Sequence, residues 1–247
     1  MKIIGITQAR IDSSRLPGKI LMKIQNKSIL EYHLERASRS KKIDKWIVAT
    51  TYEEGVESIC QIASNLSIEY FKGSLYDVLD RFYNAVRNEN PNYLVRITSD
   101  CPLVDPVLID HIVEYALENK LSYCMTSESY PDGVDVEVFK FSWLKKAYNY
   151  AKLGSDREHV TPYIRRSLAG SVKSKVYPSE TDYSGVRFTI DEKDDYKAIE
   201  RLISNLGAER GWKEYANFIV NNPSLFKNQV LIRNAGYSKS LLNDKSS

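Results

Sequence analysis

The stretch Lys2-Ile3-Ile4-Gly5-Ile6-Thr7 is a short apolar run rich in β-branched residues, and it reads as a buried strand. Outward from it, runs of the same kind return at 45–49, with Trp46-Ile47-Val48-Ala49, then at 67–71 and 92–97. Between them the period changes. Residues 28–38 place Ile29, Leu30, Leu34 and Ala37 on one helical face, and 53–65 and 75–87 repeat the pattern. Strands separated by amphipathic helices need crossover connections, so parallel βαβ units and a doubly wound α/β fold are expected.

The second half is less regular. Residues 105–119, 141–153, 156–168 and 192–205 read as helices, and 122–126, 134–139, 172–177 and 186–190 as strands. Tyr130-Pro131-Asp132-Gly133 reads as a turn. No internal repeat or linker interrupts residues 1–226, which read as one domain. Residues 227–247 read as a partly flexible tail with weak periodicity, and 242–247 look disordered from composition.

Composition narrows the classes. With 35 basic against 32 acidic residues the net charge is only +3, and Lys and Arg are scattered, so no nucleic-acid partner is expected. The three cysteines, Cys60, Cys101 and Cys124, form no Cys-x-x-Cys pair, which argues against a zinc site or a disulfide framework. Ile3-Ile4-Gly5-Ile6 is too short for a signal peptide or a membrane span, so the expected location is cytoplasmic, with no membrane insertion. The aromatic-rich strands and the region of Tyr237 offer contacts for a homodimer.

Ligands of open α/β sheets gather at the carboxyl ends of strands. There, after the first strand, stands Ala9-Arg10-Ile11-Asp12-Ser13-Ser14-Arg15-Leu16-Pro17-Gly18-Lys19. Such a loop can turn backbone N–H groups toward phosphate while Arg15 and Lys19 neutralise its charge; it can equally be a solvated basic turn. It is neither a Walker A nor a dinucleotide motif. At 92–97 a second strand ends, and Asp100 follows in Thr98-Ser99-Asp100-Cys101-Pro102; a strand-end carboxylate suits magnesium. Asp105, just before Pro106, reads as a helix cap. Asp191 closes Phe188-Thr189-Ile190-Asp191 and reads alone as an ordinary N-cap, although two strand-end carboxylates can share one ion. Asp135 and Glu137, two apart, are expected on one strand face, either toward an acceptor or toward solvent. Asp156-Arg157-Glu158-His159 opens a helix, where a lone His more often packs than catalyses.

Taken together and in order, these segments resemble a known family. Ala9-Arg10 with Ser14-Arg15-Leu16-Pro17-Gly18-Lys19 resembles the signature of cytidylyltransferases that activate Kdo and nonulosonic acids. Val48-Ala49-Thr50-Thr51, Gly73-Ser74, Asp77-Val78-Leu79-Asp80-Arg81, Arg96 to Leu103, Pro131-Asp132-Gly133 and Asp156 to Tyr163 are most similar to the branch named after the spore coat polysaccharide biosynthesis protein SpsF. The resemblance spans about residues 1–200. It implies a three-layer, glycosyltransferase-A-like nucleotidyltransferase fold with a mostly parallel central sheet. It also implies transfer of CMP from CTP to a small sugar-like acceptor, with magnesium as cofactor. By position, Ala9, Arg10, Ser14, Arg15, Gly18 and Lys19 would hold the nucleotide, Arg15 and Lys19 on its phosphates. Gly73, Ser74 and Arg81 would lie near base and ribose, Asp100 and Asp191 would bind the metal, and Asp135, Glu137, Arg157 and His159 would face the acceptor. The sugar-acid enzymes often have Gly-Asp-Glu-Pro where this chain has Ser99-Asp100-Cys101-Pro102. A metal-dependent glycosyltransferase or a non-catalytic nucleotide-binding protein are the alternatives on this fold.

Overall fold

The first strand anticipated by the sequence, β1 (Ile3–Gln8), lies inside a sheet with parallel neighbours on both sides. The computed structural model describes residues 1–13, 15–230, 233 and 235–245. After β1 come the hairpin β2 (Lys23–Ile24) and β3 (Lys27–Ser28), α1 (Ile29–Ala37), β4 (Lys45–Thr50) and α2 (Glu57–Asn65). Then follow β5 (Glu69–Lys72), α3 (Val78–Val86), β6 (Tyr93–Thr98), α4 (Pro106–Glu118), β7 (Tyr123–Thr126) and β8 (Glu137–Lys140). The chain continues through α5 (Phe141–Tyr150), α6 (Gly154–His159), α7 (Pro162–Ser167) and β9 (Ser174–Tyr177). It then runs through α8 (Lys193–Leu206), α9 (Trp212–Asn221) and α10 (Ala235–Lys245).

Seven strands form one sheet in the order β5-β4-β1-β6-β8-β7-β9. Only β8 runs against the others, pairing antiparallel with both β6 and β7. Strand alternation divides the core between two faces. Ile3, Val48 and Val95 meet α1, α2, α4, α8 and α9 through residues such as Leu34, Ile59, Ile112, Ile199 and Tyr215. Ile4, Ile6 and Ile47 meet α3, α5 and α7 through Phe82, Leu144 and Ile164. Each fully buried Leu, Ile or Phe contributes about 1.5–3 kcal/mol, so both faces are firmly held. The three-layer α/β arrangement is the expected one. Gly5 is dictated by the register: it stands opposite Trp46, and an added Cβ would lie 2.3 Å from the indole.

Several elements depart from the sequence reading. The helix expected at 156–168 is two, because the chain breaks at Val160 (φ 69) and Pro162 opens α7. Residues 186–190 are extended but form no strand, keeping only a bridge between Arg187 and Asp132. The strand expected at 134–139 starts at Glu137, so Asp135 lies outside it. Residues 242–245 continue α10 rather than trailing off, while Ser246 and Ser247 lie outside the described residues. Among the described residues no helix is long and apolar enough to cross a membrane.

Candidate active site

The order of strands reverses between β1 and β6, and the carboxyl ends of these two strands carry the charged loops. Ser99 Oγ donates to Gln8 O at 2.5 Å and ties those ends together. Past β1, Gly18 adopts the left-handed conformation (φ 68), which favours glycine, and the chain turns Lys19 back toward the sheet edge. Lys19 Nζ then donates to Asp100 Oδ2 at 2.7 Å, Asp191 Oδ1 at 2.9 Å and Ile190 O at 2.7 Å. Arg15 Nη2 reaches Asp191 Oδ1 at 2.7 Å, and Arg187 Nη2 reaches Asp191 Oδ2 at 3.0 Å. Residues far apart in sequence thus converge on one point. The N–H groups of Gly18 and Lys19 bond within the loop, to Ile11 O and Leu16 O, so these two amides do not face outward as the loop reading anticipated. Ser14 lies outside the described residues.

Burial alone would raise the pKa of Asp100. The charge and hydrogen bond of Lys19, with donation from Thr98, outweigh it and hold the carboxyl at about 2. Burial would depress Lys19, but Asp100 and Asp191 lift it above its ordinary value. Both groups are therefore charged at neutral pH. Buried His33 positions the Asp100 turn: its Nδ1 lies 2.9 Å from Cys101 O and its Nε2 3.1 Å from Thr7 Oγ1. Desolvation lowers its pKa to about 4, so the neutral ring donates from Nδ1 to the carbonyl and accepts from Thr7 at Nε2.

Asp191 does not cap α8. That service falls to Asp195, whose Oδ2 accepts from the N–H groups of Asp191 and Glu192 at 2.9 Å each. Asp191 is left for the cations. Its backbone arm is fixed by Ile190 N donating to Asp100 O at 2.9 Å and by Phe188 N donating to Asp132 O at 2.6 Å. Gly133 (φ +106) makes that approach possible, since an added Cβ would stand 2.5 Å from Thr189 N. Gly133→Ala should therefore destabilise the fold by at least about 1–3 kcal/mol from backbone strain. A thermal melt of the variant within a degree of the parent would contradict this.

Among the described residues no three acidic, His or Cys side chains gather into a metal cage. Asp100 and Asp191 nonetheless both reach one small cation, Lys19 Nζ, with hard oxygen donors. Two carboxylates are what magnesium takes when phosphate and water complete its shell. The pair fits that ion.

The residues carried toward the base and ribose also come together. Arg81 is fully buried, its Nη1 donates to Ser74 O at 3.0 Å, and a Cβ at Gly73 would press on its side chain at 3.0 Å. Burial, with Arg10 nearby, lowers its pKa to about 10. Among the described residues Arg81 Nε and Gln8 Oε1 are buried without a hydrogen-bond partner. Ala9 is buried and donates from its N–H to Ala49 O at 3.1 Å.

The four residues carried toward the acceptor are scattered among internal contacts. Asp135 and Glu137 do not share a strand face. Asp135 Oδ1 accepts from Arg233 at 2.5 Å, whereas Glu137 is buried against Arg96 Nη1 at 2.6 Å, Thr161 Oγ1 at 2.6 Å and the Tyr123 hydroxyl. Arg157 Nε donates to Asp77 Oδ2 at 2.6 Å, and linking α6 to the start of α3 is its visible work. His159 Nε2 stands 3.1 Å from Ser240 Oγ, and its ring meets Tyr237 of α10 at 5.1 Å. Tyr237 thus packs against His159 within the chain and is half-buried. The sequence reading misses Arg187 and quotes Arg96 without a role of its own; each is a charged residue inside an apolar β-like run, and that is the available signal.

Comparison with known proteins accords with this architecture. A sequence model described as cytidylyltransferase matches residues 4–229. An uncharacterized protein of Methanocaldococcus jannaschii is 39% identical over 241 residues, 96% of this chain and 98% of that protein. The spore coat polysaccharide biosynthesis protein SpsF of Bacillus subtilis is 31% identical over 211 residues, 83% of this chain and 88% of SpsF. The solved structure of a cytidylyltransferase from Leptospira borgpetersenii superposes with a TM-score of 0.87 at 33% identity, covering 94% of this chain and all (100%) of that one. With the family's sequence matched almost end to end and its three-layer nucleotidyltransferase fold in place, the chain belongs to the cytidylyltransferase family.

Proposed function

We propose that the chain transfers CMP from CTP to a sugar, sugar-acid or phosphorylated sugar-like acceptor, releasing pyrophosphate, in the synthesis of a surface polysaccharide or other glycan. The observation that carries this reading is the meeting of Lys19, Arg15, Asp100 and Asp191 at the carboxyl edge of β1 and β6. It joins cations for a polyphosphate to a carboxylate pair for its metal. The buried orphan donor Arg81 Nε and acceptor Gln8 Oε1 add hydrogen-bonding capacity suited to a nucleobase edge. The similarity to SpsF, a spore coat polysaccharide biosynthesis protein, supports the glycan setting.

The chemistry asks little covalent work of the protein. An acceptor oxygen attacks the α-phosphorus in line and pyrophosphate leaves opposite, so alignment and charge neutralisation dominate. Arg15 and Lys19 stabilise the charge that builds on the leaving pyrophosphate. Magnesium, held by Asp100 and Asp191, would polarise the α-phosphate oxygens. Arg81 and Ser74 orient the base and ribose end. His33 keeps the Asp100 turn in place without itself gaining charge.

Incubating the protein with CTP, magnesium and a library of sugar acids, sugar phosphates and amino sugars tests the proposal. A CMP conjugate seen by mass spectrometry, with stoichiometric pyrophosphate, is expected. Equal turnover of ATP or UTP, or release of a nucleoside diphosphate from a nucleotide sugar, would contradict it.

A further inference from the structure

Lys19, proposed above as a phosphate ligand, has no N–H to spare. An ammonium offers three donors, and those of Lys19 go to Asp100 Oδ2, Asp191 Oδ1 and Ile190 O, at 2.7, 2.9 and 2.7 Å. Its side chain is only 12% exposed, so water does little to weaken these bonds. The same two carboxylates are those that suit a divalent cation.

We infer that Lys19 is the resident counter-ion of the Asp100–Asp191 pair, competing with the divalent cation until a nucleotide's phosphates draw the ammonium away. This rests on the reading of Asp100 and Asp191 as metal ligands. The local charge supports it. Asp100 and Asp191 are matched by Lys19 and Arg15, two cationic side chains against two carboxylates, while Arg187, which also reaches Asp191, divides its charge with Asp132 and Asp195. Without nucleotide the pair is therefore already compensated and has little net negative charge to attract a dication. A triphosphate reverses that balance. Its oxygens give Arg15 and Lys19 a competing partner, the carboxylates are released, and the cation enters alongside the phosphates. Each ligand strengthens the other's binding by the same factor, as linkage requires.

Manganese alone, titrated into the full chain without nucleotide and followed by electron paramagnetic resonance, tests the idea. Lys19→Met should bind the ion at least about tenfold more tightly than the parent, because it removes the cation and keeps the aliphatic stem. Adding Asp100→Asn to that variant should abolish the gain, and Lys23→Met, an exposed neighbour, should leave the affinity at the parent level. Equal or weaker binding by Lys19→Met, with Asp100→Asn still reducing it, overturns the competition but leaves the carboxylate reading standing. Binding indifferent to Asp100→Asn overturns both. A measurement on the unmutated protein guards against a misfolded variant. The Lys19 ammonium should give a protected 15N side-chain resonance that CTP shifts in the presence of a chelator. An unmoved resonance under saturating CTP also refutes the inference.

Discussion

Asp100→Asn should lower the rate of pyrophosphate release from CTP by about a thousandfold or more, the scale of losing a preorganised charge at the reacting phosphate. The substitution is isosteric, so the turn built by Ser99, His33 and Ile190 stays intact. Stability should fall by no more than about 1.5–3 kcal/mol, the range for one charge-assisted hydrogen bond. The contrast with Asp105, five residues on, makes the measurement decisive. Asp105 is buried and caps α4, accepting from Val107 N at 2.9 Å and Leu108 N at 3.0 Å, and it also accepts from Trp212 N at 2.8 Å. Asp105→Ala should therefore cost more stability and leave the turnover of the folded fraction near that of the parent. The acid side of the pH profile offers a further check. With its pKa at about 2, Asp100 stays ionised down to pH 4 and should contribute no acidic limb above that point. Near-parent turnover in Asp100→Asn would remove this carboxylate from the mechanism.

That Asp105 is a cap and Asp100 is not could be read from neighbouring residues, because Pro106 fits the first turn of a helix and Asp100 follows a strand without a helical pattern. Length and β-branched composition likewise reveal β1, β4 and β6, whose short apolar runs fit buried parallel strands, while β5 is the half-exposed edge strand of the sheet. The second half is harder for a physical reason. Residues 186–190 look like a strand because Val186, Phe188 and Ile190 are apolar, yet their backbone bonds to the Asp132 and Asp100 loops instead of completing a ladder. No local period encodes which loop a segment will meet. One partner of Asp191 is similarly remote, since Lys19 approaches from 172 residues away, whereas Arg187 stands only four residues before it. Sequence alone thus marked the charged residues, while which carboxylate caps and which faces the cations depended on Asp195, whose cap role freed Asp191. Glu137 shows the opposite failure. Spacing of two put it beside Asp135, but β8 begins at Glu137, and Arg96 from the neighbouring strand claims its charge.

Arg187→Met is expected to be the most destabilising single substitution, at about 3–5 kcal/mol, because it strips the counter-ion from buried carboxylates. The Arg187 guanidinium is 5% exposed and is shared by Asp132, by Asp191 at 3.0 Å, and by Asp195, whose Oδ1 lies 2.8 Å from Nε. Burial would raise the Asp195 pKa, but Arg187, Asn228 and two backbone N–H groups hold it below the ordinary carboxylate range. Such a group stabilises the native state fully above its unfolded pKa, and the contribution is lost as pH falls through the lower folded value. Asp132 has the opposite sign. Burial and Asp135 outweigh Arg187 and Arg233 and raise it to about 6, so its ionisation penalises the folded state as pH climbs from about 4 toward 6. Removing Arg187 pushes both carboxyls upward. The deficit of the variant should then be largest at pH 7–8 and shrink toward pH 5, where Asp132 and Asp195 can take up protons. Denaturant melts at the two pH values read this directly, and a deficit that is pH-independent or below about 1 kcal/mol would refute the hub. Asp195→Asn added to Arg187→Met should restore part of the stability, since an amide oxygen can still accept from Asp191 N and Glu192 N while carrying no unpaired charge. Turnover should recover less than stability in that double variant. Asp191 will still have lost its 3.0 Å bond to Arg187, and with it the restraint that holds it toward Lys19 and Asp100.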